Sequence, residues 1–410
     1  MTRQLIRNAT VFDSAAGVLR PGSTIVIEGD RFAAVTQQSI EVDDVARTID
    51  AEDRVVLPGL IDAHVHVSAT SHDLPGLALQ PPSLTGAESS RLMAAMLRRG
   101  FTTVRDAAGA DWGLQAAVER GLYEGPRLYI SVQPITQTGG HADMRPRGVR
   151  SGEMYCSCAG LGLIGAVADG VGEVRRAVRE QVRQGANQIK IMAGGGVSSP
   201  TDPIDGTQFS IEELRAAVEE AEAANLYALA HAYSPRAITR AVQAGVRSIE
   251  HGNLLDEATA REMKRCGAYL VPTLATYAAL ADEGERLGWS AEMLSKLQRV
   301  QASGVNAIGL ALAEGVPVVF GSDLLGHMHG RQNSEFLLRS AVQTPVQVLQ
   351  SATITAARLM RQEGQIGQIV AGAWADLLVV EGDPTVDASL VAEPARSIRL
   401  LMRGGQIVEL

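Results

Sequence analysis

The middle of the chain alternates short apolar segments with amphipathic segments, and this rhythm constrains the fold more than any other feature. A short, continuously apolar run is typical of a strand that is buried on both faces. Eight short segments that are largely apolar occur, and most are followed by a segment of helical periodicity. They span residues 59–67, 101–106, 127–133, 188–192, 227–231, 248–251, 269–272 and 318–321. Strands that alternate with helices form parallel sheets, so the sequence predicts a (β/α)8 TIM barrel of the α/β class.

Helix signals support this reading. Residues 172–184, 210–225, 234–245 and 256–267 have helical periodicity. Ser210 is followed three residues later by Glu213, which is the signature of a capping box. Ser234 and Pro235 provide a cap and a proline at the first helical position.

Both ends of the chain show a different pattern of short alternating strands and glycine turns. Neither end is long enough to bury a sheet face alone. We therefore expect residues 1–57 and 365–410 to build one small β-sandwich domain beside a barrel of residues 58–364. The entropic cost of joining segments so far apart grows only slowly with their separation.

The composition excludes several classes of protein. With 46% hydrophobic and 20% charged residues, the 410-residue chain is too apolar for intrinsic disorder, and it lacks an apolar run long enough for a transmembrane helix. A net charge of −9 without a basic stripe argues against nucleic acid or membrane partners. The first residues lack the apolar block of a secretory signal, and three cysteines are too few for a disulfide framework. We expect a cytoplasmic homo-oligomer.

Histidine and aspartate residues fall at the ends of the predicted strands. His64 and His66 are two apart on the first strand, so their side chains point to the same face. His231 and His251 end the fifth and sixth strands, and Asp323 follows the eighth. Any one of them alone could be a structural residue, but strand ends share one rim of a barrel. Together they predict a site for a divalent transition metal.

Lys190 is a single lysine within the apolar fourth strand, QIKIMAGGG. A buried ammonium without a partner is unfavourable, so its pKa should fall. A neutral amine can capture carbon dioxide and become an anionic carbamate that bridges two metals. The alternative is a lysine paired with an acidic neighbour; the ligand-type residues on the same rim favour the carbamate. Asp62 shares the face of His64 and is interpreted as a buried structural carboxylate or a partner of a ligand.

These residues resemble the metal ligands of the amidohydrolase superfamily in its binuclear form. The motifs LPGLIDAHVH, TGGHAD, HAYS, IEHG, PTLATY and GSDLLGHMHGRQNSEF are similar to the imidazolonepropionase-like and Xaa-Pro dipeptidase (prolidase)-like metallopeptidases. The likeness covers essentially the whole chain. It implies the ligand set His64, His66, Lys190, His231, His251 and Asp323, with Lys190 carboxylated by carbon dioxide and two divalent ions, most simply Zn²⁺.

The resemblance also implies an activity. A metal-bridging hydroxide would attack the scissile carbonyl of a dipeptide or N-acyl amino acid, with Asp323 as general acid and base. Three alternatives are weighed. The first is a lactonase or a hydrolase of organophosphates or carbamates on the same centre, and the second is a mononuclear deaminase or imidazolonepropionase. The third is a non-enzymatic scaffold protein of this fold, which should have lost ligands, whereas none is missing here. The lysine on strand four argues against the second alternative.

Residues in the loops after the strands are candidates for substrate contacts. His141, which follows two glycines, and Tyr233, two residues after His231, could position or stabilise a tetrahedral oxyanion. Tyr233 could instead be a structural tyrosine at the rim. Arg145 and Arg147 are either partners of a substrate carboxylate or residues of a solvated loop.

The remaining polar residues have weaker signals. His327 and His329 form a second HxH, but in a glycine-flanked loop, so we expect at most one to line the pocket. His72 is expected to cap or pack in the loop after the first strand. Cys156 and Cys158 lack a second cysteine pair, so they do not predict a structural zinc. The glycines at 194–196 lack the rest of a phosphate-binding motif and predict a loop turn.

Overall fold

The computed structural model describes residues 3–38, 45–145, 163–199 and 202–410. The strands of these residues, in chain order, are β1 (Arg3–Asp13), β2 (Val18–Glu28), β3 (Arg31–Thr36), β4 (Val45–Asp50), β5 (Val55–Pro58), β6 (Leu60–Val65), β7 (Phe101–Asp106), β8 (Arg127–Ile130), β9 (Ile135–Thr136), β10 (Ala166–Val167), β11 (Ile189–Met192), β12 (Ala228–Ala232), β13 (Ser248–His251), β14 (Tyr269–Val271), β15 (Leu377–Val380), β16 (Ile398–Arg403) and β17 (Gln406–Val408).

The helices are α1 (Leu74–Ala78), α2 (Pro82–Arg98), α3 (Trp112–Glu119), α4 (Val171–Arg183), α5 (Ile211–Ala223), α6 (Pro235–Gln243), α7 (Glu257–Arg265), α8 (Leu274–Glu283), α9 (Ala291–Ala313), α10 (Ser334–Arg339), α11 (Pro345–Ser351), α12 (Ile354–Leu359), α13 (Ser389–Ala392) and α14 (Pro394–Ser397). A 3₁₀ helix spans Gly326–Arg331. Of these described helices, none combines the length and apolarity that crossing a lipid bilayer requires.

Both ends of the chain contribute to one mixed sheet, with the order β17-β16-β15-β5-β1-β2-β3 and β4 beside β1. The two ends meet where β15 pairs antiparallel with β5, from Leu377 opposite Pro58 to Val380 opposite Val55. A separate apolar cluster, which includes Ile6 and Phe32, lies in this sheet. The predicted pairing of the two ends is confirmed.

Parallel strands form the middle of the chain, as the alternation predicts. One sheet has the order β6-β7-β8 and the other β10-β9-β11-β12-β13-β14. The strands β11, β12 and β13 are buried along their whole length, which is the pattern of strands covered on both faces. The chain therefore has an α/β fold with mixed sheets.

The predicted helices are also present as α4, α5, α6 and α7. Ser210 and Glu213 form the reciprocal capping box at the start of α5. The Ser234 side chain accepts from the backbone N–H of Ala237, with Pro235 in the first turn of α6. Local capping chemistry therefore determines where these helices begin.

The prediction of a regular eighth strand is wrong. Residues 318–321 form an extended segment that has a single parallel bridge, between Val318 and Leu270. On its other side, the N–H of Ala63 donates to Phe320 O at 2.9 Å. Just beyond the segment, Asp323 has a φ of +53°, which is left-handed backbone, so the extended conformation ends there.

Candidate metal centre

The ends of β6, β12 and β13 bring the predicted histidines together around Asp323. Asp323 Oδ1 lies 2.9 Å from His66 Nε2 and 3.4 Å from His64 Nε2. Its Oδ2 lies 3.9 Å from His251 Nδ1. The ring centroids of His231 and His251 are 4.6 Å apart. Residues that are far apart in the chain therefore form one buried cluster of imidazoles and a carboxylate.

Two of these residues have unusual backbone conformations. His251 has a φ of +76°, and Asp323 has a φ of +53°. Left-handed backbone is unfavourable for residues that have a Cβ and persists where the surrounding structure holds it. Here the left-handed backbone turns the chain at His251 and at Asp323, close to the other histidines of the cluster.

Each of the four histidines has one ring nitrogen engaged by a protein group. His64 Nδ1 lies 2.6 Å from Glu250 Oε2, and His66 Nδ1 lies 2.9 Å from Ala108 O. His251 Nδ1 contacts Thr273 Oγ1 at 2.8 Å, while His231 uses Nε2, 3.0 Å from Gly195 O. Such partners fix the tautomer and leave the second nitrogen available to a cation. Burial also holds the pKa of His231 and His251 well below the usual value, which favours the neutral ligand form.

The charge of Asp323 is stabilised within this cluster. Burial opposes ionisation, but the imidazoles of His64 and His66 hold the pKa of the carboxyl well below its usual range. His64, His251 and Asp323 offer ligand atoms within 4.8 Å of one another. Imidazole and carboxylate are the donors that divalent transition metals prefer. The residues therefore fit a cation.

Lys190 lies in β11 and is 2% exposed. Its Nζ has neither a hydrogen-bond acceptor nor an ion-pair partner among the residues that the structure describes. Burial lowers the pKa of its ammonium to about 8, against an attraction to Glu250 and Asp323. The predicted fall in pKa is confirmed, and a reactive neutral amine is accessible near neutral pH.

An ion pair that the sequence analysis missed lies directly behind His64. Arg105 of β7 and Glu250 of β13 are both fully buried, and Arg105 Nη2 lies 2.9 Å from each oxygen of Glu250. Burial alone would raise the pKa of Glu250, but Arg105 and His64 lower it overall. The sequence does contain a signal for this ion pair. It is the same signal that identified Lys190, namely a charged residue within an apolar strand.

Two further carboxylates support the same strand end. Both oxygens of Asp62 are engaged, by the backbone N–H groups of His64 and Ser322, by Ser322 Oγ and by Gln332 Nε2. Asp62 therefore has the structural role that the sequence indicates. Asp106 accepts from the backbone of Val67 and Ala110, and burial raises its pKa to about 6.

His141 lies against the cluster. Its ring stacks on that of His231 with centroids 4.4 Å apart, and its Nδ1 lies 3.8 Å from Asp202 Oδ2. A Cβ added at Gly196 would approach the His141 ring to 2.0 Å. Gly196 thus allows the loop after β11 to pass this imidazole.

Tyr233 is buried beside two of the predicted ligands. Its ring centroid lies 4.9 Å from that of His231 and 5.4 Å from that of His251. Its phenol oxygen accepts from the Tyr277 hydroxyl at 3.0 Å.

The other candidates lie away from this cluster or are already paired. Both guanidinium contacts of Arg145, at 2.7 and 2.6 Å, go to Asp143. His327 is on the surface, with 56% of its side chain exposed and an ion pair to Glu283. His329 is buried and contacts Ala69 O. His72 is exposed, so it does not pack in its loop. Arg147, Cys156 and Cys158 lie outside the described residues.

Comparison with known proteins agrees with this geometry. The profile of the Amidohydrolase family matches residues 55–408, and the chain belongs to that family. It is 33% identical over 413 residues to the ochratoxinase of Aspergillus niger, with 96% of this chain and 85% of the relative covered.

Two solved structures are similar over the whole chain. A prolidase complexed with N-methylphosphonate-L-proline is 46% identical, with a TM-score of 0.96 and complete coverage of both chains. A Xaa-Pro dipeptidase with methionine bound in its active site is 29% identical, with a TM-score of 0.87 and complete coverage of both chains. The predicted resemblance is confirmed, and the chain is a hydrolase of amide bonds.

Proposed function

We propose that this chain is a binuclear metal-dependent dipeptidase or N-acyl amino acid amidohydrolase that cleaves the bond before a C-terminal residue. The observation that carries the proposal is the cluster of imidazoles around Asp323 beside the buried Lys190, which has no partner among the described residues. Supporting it is the similarity to a prolidase complexed with a proline derivative, and to an enzyme named ochratoxinase.

The proposed ligands are His64, His66, Lys190 as a carbamate, His231, His251 and Asp323. The carbamate forms when the neutral amine attacks carbon dioxide and loses a proton. We propose Zn²⁺ as the ion, since imidazole, carboxylate and carbamate suit it. Two bound divalent ions would supply Lewis acidity and an activated water molecule.

The protein's own residues then handle protons and negative charge. The Asp323 carboxylate would accept a proton from the attacking water and return it to the departing amine nitrogen. Water and amide are thereby converted to acid and amine. His141 and Tyr233 would donate hydrogen bonds to the oxygen that becomes negative or to the substrate carboxylate.

The proposed substrates have a free C-terminal carboxylate, which needs hydrogen-bonding partners in a buried site. Because Arg145 is already paired with Asp143, the described residues that remain for this task are His141 and Tyr233. The test compares each N-acyl amino acid with its C-terminal amide. A site built around the carboxylate should lose about 2–5 kcal/mol of transition-state stabilisation on amidation. Equal kcat/KM for acid and amide would contradict the requirement.

The same substrate panel separates the alternative functions. Lactones, organophosphates and carbamates should be poor substrates, and preferential turnover of them would favour the alternative hydrolases. One tightly bound metal per chain with unmodified Lys190 would favour a mononuclear deaminase. Elemental analysis measures the metal content, and ¹³C NMR of the folded protein supplied with ¹³C-labelled bicarbonate detects the carbamate.

The architecture is part of the proposal. We infer a closed (β/α)8 barrel of residues 58–364, with residues 1–57 and 365–410 as a β-sandwich. Support comes from the two parallel sheets and from the segment at 318–321, which contacts Leu270 of β14 on one side and Ala63 of β6 on the other. A cytoplasmic location, which the few cysteines favour, and a homo-oligomeric state complete the proposal.

A further inference from the structure

The Tyr277 hydroxyl belongs to a buried pair of phenols beside the candidate metal centre. Tyr277 lies in the first turn of α8, and Tyr233 lies one residue beyond β12. Their oxygens are 3.0 Å apart, and both side chains are buried. A phenol has a single proton, so one member of such a pair donates and the other accepts.

The Tyr277 hydroxyl donates to the Tyr233 oxygen. The residue just before α8, Thr273, contacts a candidate ligand directly, because its Oγ1 lies 2.8 Å from His251 Nδ1. The start of α8 therefore places Thr273 against His251 and Tyr277 against Tyr233.

One O–H proton of this phenol pair lacks an acceptor among the described residues. The Tyr233 oxygen accepts from Tyr277, while its own O–H has no acceptor among the residues that the structure describes. A buried donor without an acceptor is unfavourable. The ring of Tyr233 contacts those of His231 and His251, so a substrate at the metal centre lies within reach of this proton.

We propose that Tyr277 is a positioning residue that makes Tyr233 a hydrogen-bond donor only. By filling an acceptor position on Tyr233, Tyr277 directs the remaining O–H towards the substrate. The substrate group at this position must then be an acceptor oxygen, such as a carboxylate or carbonyl, and an ammonium or amide N–H is disfavoured. The inference rests on the proposed function for the contact between Tyr233 and substrate.

A double-mutant cycle on kcat/KM tests the proposal. Tyr277→Phe should lower kcat/KM by roughly 3- to 10-fold, the effect of one neutral hydrogen bond. In the Tyr233→Phe background the same change should have no further effect, because there is no O–H left to direct. Equal losses in both backgrounds would show that Tyr277 acts independently of Tyr233. The matched control is Tyr269→Phe. Tyr269 is the first residue of β14, whereas Tyr277 lies in the helix that follows the other end of that strand, so this control should leave kcat/KM unchanged.

A spectroscopic measurement is independent of turnover. In protein labelled with ¹³C at the tyrosine Cζ, the Tyr233 signal should shift on addition of N-acetyl-L-proline. The shift should be smaller in Tyr277→Phe and unchanged in Tyr269→Phe. A Tyr233 signal that shifts by the same amount in the wild-type protein and in Tyr277→Phe overturns the inference. A substrate panel without turnover of dipeptides or N-acyl amino acids contradicts the proposed function instead, so the two failures give different results.

Discussion

Replacing Glu250 by glutamine tests the buried ion pair behind the metal centre. Glu250 Oε1 accepts from Ser248 Oγ at 2.6 Å and from Arg105 at 2.9 Å, while Oε2 accepts from His64 at 2.6 Å and from Arg105 at 2.9 Å. A glutamine amide must place its NH₂ against the Arg105 donor in either orientation. At least two hydrogen bonds are lost, and Arg105 becomes a buried charge without a countercharge.

The expected loss of stability follows from this geometry. Removing one partner of a fully buried pair costs about 3–5 kcal/mol. At roughly 2 °C per kcal/mol for a chain larger than a small domain, the Tm of the metal-free protein should fall by about 5–10 °C. Since Glu250 also orients His64, the affinity for metal should fall about 10- to 100-fold.

Thermal unfolding by circular dichroism measures the first quantity, and competition with a chelator measures the second. The matched control is Glu180→Gln, which removes a surface partner of Arg183 with both side chains largely exposed. Its effect should stay within about 0.5 kcal/mol. If Glu250→Gln unfolds at the same temperature as this control, the interpretation of the pair as a stabilising element is refuted.

Three more predictions concern single side chains. Lys190→Ala should lose bound metal and activity together, and short carboxylic acids should restore part of both; full activity with full metal content would exclude the carbamate. Asp323→Asn should retain much of the metal by elemental analysis and lose turnover by about 10²–10⁴-fold, as for an acid–base group; unchanged turnover would require another base. Burial raises the pKa of Glu335 to about 8 in the folded protein. Between the ordinary pKa of a glutamate and about 8, the folded state therefore keeps a proton that the unfolded chain has released. Stability should therefore fall as the pH rises from about 4.5 towards 8, and Tm profiles of Glu335→Gln should show a smaller fall over that window; parallel profiles would contradict this.

Much of the site was visible in the sequence because its signals are local. His64 and His66 are two apart on a strand, so their common face follows from strand geometry alone. Lys190 is conspicuous because a charge interrupts an apolar run, and the structure confirms that it is buried. The capping residues Ser210 and Ser234 act within their own helices, so the starts of α5 and α6 follow from short-range chemistry.

Other features depend on contacts between distant segments. Arg105 and Glu250 interrupt apolar strands as Lys190 does, but their pairing depends on how β7 and β13 face each other across the interior. The hydroxyls of Thr273 and Tyr277 acquire a direction only when α8 packs beside His251 and Tyr233. The last predicted strand makes only one bridge, to Leu270, and the left-handed backbone of Asp323 lies just beyond it; both depend on packing against distant segments. The amino-acid sequence thus determined the elements and most of the candidate ligands, while tertiary packing decided which polar groups are paired. Among the described residues, it left Lys190 Nζ without a partner and the Tyr233 O–H without an acceptor, so both remain available for chemistry.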